Sequence, residues 1–226
     1  MKKITPAGLS SALRLGVLAA VLMLSAVPLS AHPHMFFSSR AEFEWDGEQL
    51  NGVWLEWTFD AFFSADILMG YDLDSNGLFN MAETQKVYSG AFVNLQKYYF
   101  FTFIRQGARR YSPDSVERFS VINRNGRVSY RFFIDLSDSR PDQDLYLAVY
   151  DYTFFCNVEY PESEPVVLRY DPQVVRPAWT IVENKSFPVY YNPRGAIDDT
   201  RVYYEYKEGL AVYYPREIRI RYEKIR

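Results

Sequence analysis

His32-Pro33-His34 holds both histidines of a 226-residue chain. Imidazole nitrogens suit borderline divalent metals such as nickel, cobalt, zinc and copper. Residues two apart on an extended chain point to the same side, so both rings can converge on one ion. Pro33 favours that extended backbone for itself and for His32. It also lacks an amide proton, so a square-planar amino-terminal chelate that uses the second amide cannot form. The site then needs ligands from elsewhere. Cleavage after Ala31 would add the α-amine of His32. Glu56, Asp60 and Asp151 are the candidate carboxylates, and without such ligands the histidines simply begin a strand.

A second constellation is built for a hard ion. Asp72, Asp74 and Asn76 stand at positions one, three and five of a twelve-residue loop, with Gly77 at six, Leu78 at seven, Asn80 at nine and Glu83 at twelve. That is the EF-hand pattern. Side-chain oxygens would come from Asp72, Asp74 and Asn76, and a backbone carbonyl from Leu78. Asn80 would act through water, and Glu83 with both carboxylate oxygens. Only three formal charges face the ion and no second loop pairs with this one. Weak, structural calcium binding is expected, with Kd on the order of 10⁻⁴ to 10⁻³ M. Phe79 puts bulk at position eight, where a smaller aliphatic is more usual.

These residues need elements to hold them. Residues 35–45 alternate, with Met35, Phe37, Ala41, Phe43 and Trp45 on one parity, and so read as a half-buried strand. Asp46-Gly47 marks a turn into a second strand over 50–59. Phe59, Phe62, Phe63 and Ile67 recur at helical spacing, as do Val87, Ala91, Leu95 and Tyr98, so a helical insertion is expected over about 59–105. Asn125-Gly126, between apolar runs, signals a hairpin. Further strands are expected at 145–150, 153–160, 166–170, 180–183, 187–191, 201–206, 210–214 and 217–223. The fold class is mainly β (α+β): an antiparallel β-sandwich with an inserted EF-hand-like helical hairpin.

The first 31 residues read as a signal peptide. Lys2, Lys3 and Arg14 precede a short apolar run over 15–24, and Ala31 suits a cleavage site, although Leu29 is larger than usual there. The expected product is one β-rich domain over 32–226, without a membrane span. The leader holds three basic residues and no acidic one, so the remainder has 22 basic against 28 acidic, a net charge of −6. That disfavours nucleic acid and anionic membrane as partners. Cys156, the single cysteine, lies in an apolar run and reads as a small core residue.

The opening Ala-His-Pro-His-Met-Phe, Glu56-Trp57-Thr-Phe59-Asp60, the 72–77 run, Asn94-Leu95 through Thr102, and Val149-Tyr150-Asp151 together carry a resemblance. They resemble the bacterial periplasmic family known as domain of unknown function 1007. The resemblance implies a periplasmic component of an uncharacterised transport system, linked to nickel/cobalt transporters, in a Gram-negative cell. Members often have Asp-Pro where this chain has Asp151-Tyr152. The expectation is therefore a metal-binding accessory of an inner-membrane metal transporter. His32, His34 and Asp151 would hold the transition metal. The alternative is a calcium-braced interaction module that binds a partner protein or glycan through its many aromatics. A histidine triad has no histidine to spare outside the first strand, so no enzymatic activity is expected.

Overall fold

A computed structural model describes residues 33–196 and 199–225, and these described residues form one compact unit. The leader and His32 lie outside the described residues. No described helix is long and apolar enough to cross a membrane.

Strand β1 (Met35–Asp46) follows from the alternation. Phe37, Ser39, Ala41 and Phe43 are buried between partly or fully exposed neighbours. It pairs antiparallel with β2 (Gln49–Phe59), Phe37 opposite Phe59, with a register shift between Glu44 and Trp45. On its other edge, β8 (Cys156–Glu159) and β9 (Val166–Arg169) run parallel to it. The expected all-antiparallel sandwich is thus mixed at this edge. β5 (Glu117–Arg124) and β6 (Arg127–Asp135) form the Asn125-Gly126 hairpin, with both turn residues at positive φ, and β6 joins β2. This sheet has six strands.

The second sheet runs β10-β13-β7-β3-β4, from β10 (Val175–Glu183), β13 (Arg216–Lys224), β7 (Leu145–Val149), β3 (Thr102–Gln106) and β4 (Arg109–Tyr111). Its Ile104, Leu147, Ile218 and Ile220 join Phe37, Trp57 and Phe132 of the first sheet in one buried cluster. The mainly β class and the layered, sandwich-like core agree with the sequence. β11 (Val189–Tyr191) and β12 (Ala211–Tyr213) form a small separate ribbon.

Two helices lie between β2 and β3: α1 (Ala61–Tyr71) and α2 (Met81–Gly90). Asp60 caps α1, its Oδ1 accepting from the Phe63 amide at 2.9 Å. Buried Ser64 accepts from the Val128 amide at 3.0 Å and ties α1 to β6. The helical stretch ends sooner than its periodicity implies. A 3₁₀ segment (Phe92–Phe101) stops where Tyr99, Phe100 and Phe101 all take positive φ. Left-handed backbone costs an L-residue roughly 1–2 kcal/mol. Burial of the Phe100 and Phe101 rings offsets it. β3 therefore occupies residues expected to be helical. Elsewhere, 151–155 is a turn rather than strand, and 201–206 contributes only an isolated bridge, Tyr190 to Tyr203.

Candidate functional site

The loop between α1 and α2 folds around its own acidic side chains. Asp72 accepts from the Asn76 amide at 3.1 Å and the Gly77 amide at 2.9 Å. Gly77 sits at φ +77°, a conformation that strains any residue with a Cβ. Asn80 caps α2 while Glu83 reaches back to the Asn80 amide at 3.0 Å, a reciprocal capping box. The other Glu83 oxygen accepts from the Leu73 amide at 2.8 Å. Glu83 is 2% exposed, a buried carboxylate at the junction of loop and helix.

One oxygen each from Asp72, Asp74 and Glu83 lies within 4.8 Å of the others. Ligand oxygens around calcium sit at about 2.3–2.6 Å, so any two of them are at most about 5 Å apart. The three carboxylates therefore fit one calcium-sized shell, and their hard oxygens match that ion. Asn76 is turned aside: its Oδ1 accepts from the Leu78 amide at 2.7 Å and its Nδ2 donates to Asp74 at 2.9 Å. Leu78 and Asn80 lie on the same loop, where the spacing put them. Asn123 on β5 donates to the Gly77 carbonyl at 2.8 Å and joins the loop to the sheet.

The histidine end is organised differently. The His34 amide donates to the Phe155 carbonyl at 2.9 Å, and the two rings stand 5.2 Å apart. His34 thus enters β1 against the 151–156 turn. Asp151 shapes that turn. Its carboxylate accepts from the Thr153 amide at 2.8 Å, the Thr153 hydroxyl at 2.7 Å and the Cys156 amide at 3.1 Å. It is 2% exposed, and burial raises its pKa despite those bonds. Its lone pairs point into its own turn, so it serves as a clasp behind His34.

Asp60 lies at the same end. Its Oδ2 accepts from the Phe36 amide at 3.0 Å, while its own amide donates to the Phe36 carbonyl. Cys156 is buried as expected; burial first, then Asp151, then Asp60 push its thiol pKa up. Glu56 is elsewhere. It faces Arg40 in the β1–β2 register and pairs with Arg124 at 2.5 Å. Arg40 lies six residue steps along the chain from His34, roughly 20 Å at about 3.3 Å each. A cleft of about 310 Å³ beside Asp60 also includes Arg127 and Glu159. Sequence reasoning missed Glu159, because only the parallel β1–β8 pairing, Ser38 opposite Glu159, brings it there.

A mainly β, two-sheet domain with an acidic interhelical loop is the class these features define. A family model described as "Protein of unknown function (DUF1007)" matches residues 17–222. The chain belongs to that family. It is also 36% identical over 105 residues to the "Uncharacterized 15.5 kDa protein in trpE 3'region" of Spirochaeta aurantia, covering 46% of this chain and 74% of that protein.

Proposed function

We propose that this protein is a periplasmic, calcium-braced accessory that binds a divalent transition metal for an inner-membrane transport system. One observation supports the calcium part of the reading: the convergence of Asp72, Asp74 and Glu83 within 4.8 Å on a loop tied to the sheet. In this reading calcium fixes the helical hairpin on β5 and β6. The transition metal, of the nickel, cobalt, zinc or copper kind, is held by His32 and His34. Asp60 is a carboxylate supplement at the same end, bonded to the amide two residues after His34. Asp151 positions the turn on which His34 rests. The protein binds and does not catalyse, and its leader directs it to the periplasm.

The test is calorimetric titration of leader-cleaved protein, first with calcium and then with each transition metal. Saturable calcium binding that Glu83→Gln abolishes supports the calcium part. Saturable transition-metal binding that vanishes in the His32→Ala/His34→Ala variant supports the transport part. Absence of either signal removes the corresponding part of the reading.

The interaction-module alternative draws on a different observation. A cleft of about 500 Å³ on the second sheet's side is lined largely by tyrosine and phenylalanine.

A further inference from the structure

Among the described residues lining that aromatic cleft, one is a cation, Arg110. Arg110, on β4, stands over the Phe103 ring at 5.0 Å and the Phe187 ring at 4.0 Å. Its Nη2 donates to the Tyr150 hydroxyl at 2.5 Å. Phe103 in turn stacks on Tyr150 with centroids 4.3 Å apart. The guanidinium is thus held by two aromatic rings and the Tyr150 hydroxyl. Three arginines of the second sheet have acid partners, Arg105 with Glu217, and Arg219 and Arg221 with Asp144, whereas Arg109 and Arg216, like Arg110, lie over aromatic rings. The described lining of the Arg110 cleft carries no carboxylate. Among the described residues no carboxylate pairs with Arg110, and a fixed cation so placed, in a protein of net negative charge, is a local anion site.

The walls define the rest of the ligand. Tyr99 and Tyr152 line the cleft with ring centroids 5.9 Å apart, and Tyr204, 92% exposed, lines it as well. Rings disposed this way offer stacking faces to a flat apolar body. A volume of about 500 Å³ is in the range of small-ligand pockets. A guanidinium fork matches a carboxylate better than a spherical anion. We infer that this cleft binds a carboxylate-bearing ligand with an aromatic body, its carboxylate on Arg110 and its ring against the tyrosines. That chemistry comes either as a free aromatic acid or as the C-terminal aromatic residue of a peptide. The site is separate from the metal loop and does not depend on the transport reading.

Calorimetric titration of the leader-cleaved protein with 3-phenylpropanoate and with the peptide Ala-Gly-Ala-Phe tests it. Saturable binding of the small acid assigns a free acid; binding of the peptide alone assigns a chain terminus. In either case the carboxamide of the bound probe is expected to bind about tenfold more weakly, as is the carboxylate to Arg110→Gln. Tyr204→Ala, too exposed to disturb the core, is expected to weaken binding about threefold. Arg110→Lys, which keeps charge but loses the fork, is expected to fall between wild type and Arg110→Gln. The inference is overturned if neither probe saturates, if acid and carboxamide bind equally, or if Tyr204→Ala and both Arg110 variants bind like wild type.

Discussion

Glu83 does two jobs with one carboxylate: it caps α2 and closes the acidic loop. The two separate experimentally. At 10 mM calcium and a Kd of about 10⁻⁴ to 10⁻³ M, binding should stabilise the wild type by roughly 1.4–2.7 kcal/mol. Glu83→Gln should abolish that calcium-dependent gain in a thermal melt while retaining a fold in chelator. A gain unchanged in the variant would exclude the loop as the site. Asp60 is likewise shared, between the cap of α1 and the Phe36 amide. Asp60→Ala should cost about 1–2 kcal/mol in urea unfolding, and should weaken any metal binding at His34 by loosening the start of β1. The acidic loop was readable in the sequence because its carboxylate positions are local and their spacing is fixed by one turn. Asp151 was not readable as a clasp, because the direction of its oxygens is set by the 151–156 turn. Nor was the Arg110 cleft, whose walls come from residues 99 to 204.

Among the elements, β1 is the hub. It is flanked by β2 on one edge and by β8 and β9 on the other, and it begins at Met35, directly after His34. Its alternation was plain in sequence; its parallel partners were not, since nothing local distinguishes a parallel neighbour from an antiparallel one. The end of the helical stretch was hidden for a related reason. Nothing in the sequence of Tyr99, Phe100 and Phe101 marks their positive φ, which accompanies burial of the Phe100 and Phe101 rings. Two glycines measure how tightly these elements are held. A Cβ on Gly77 would meet only the Asn123 amide at 3.7 Å, so Gly77→Ala should cost the backbone strain of φ +77°, about 1–2 kcal/mol. A Cβ on Gly52 would fall 2.1 Å from Phe133 and 2.6 Å from the Ile134 carbonyl. Gly52→Ala should therefore be the more destabilising in urea melts, because backbone of the paired strand must move. The reverse order would mean that β2 and β6 are less tightly registered than they are here.

For the molecule as a whole, acid stability reports how the second sheet is closed. Asp144, just before β7, bridges two side chains of β13. Its Oδ2 accepts from Arg219 Nε at 2.7 Å and its Oδ1 from Arg221 Nε at 2.9 Å. These bonds, that from Arg221 foremost, hold its pKa below the ordinary 3.8. The folded state therefore binds fewer protons than the unfolded chain between the two values. Stability rises with pH across that interval, is complete above 3.8, and is lost as pH falls through the folded value. Buried Asp151 acts with the opposite sign. Its pKa is raised, so its contribution declines as pH climbs from 3.8 through the folded value. The wild-type acid limb mixes the two, and Asp144→Asn separates them. That variant should melt below wild type at pH 7, with the gap narrowing as pH falls below 3.8 and closing once Asp144 is protonated in both states. A gap that stays constant to the lowest pH would show that Asp144 acts through packing or neutral hydrogen bonds, and that the charge clamp between β7 and β13 contributes nothing to holding the second sheet together.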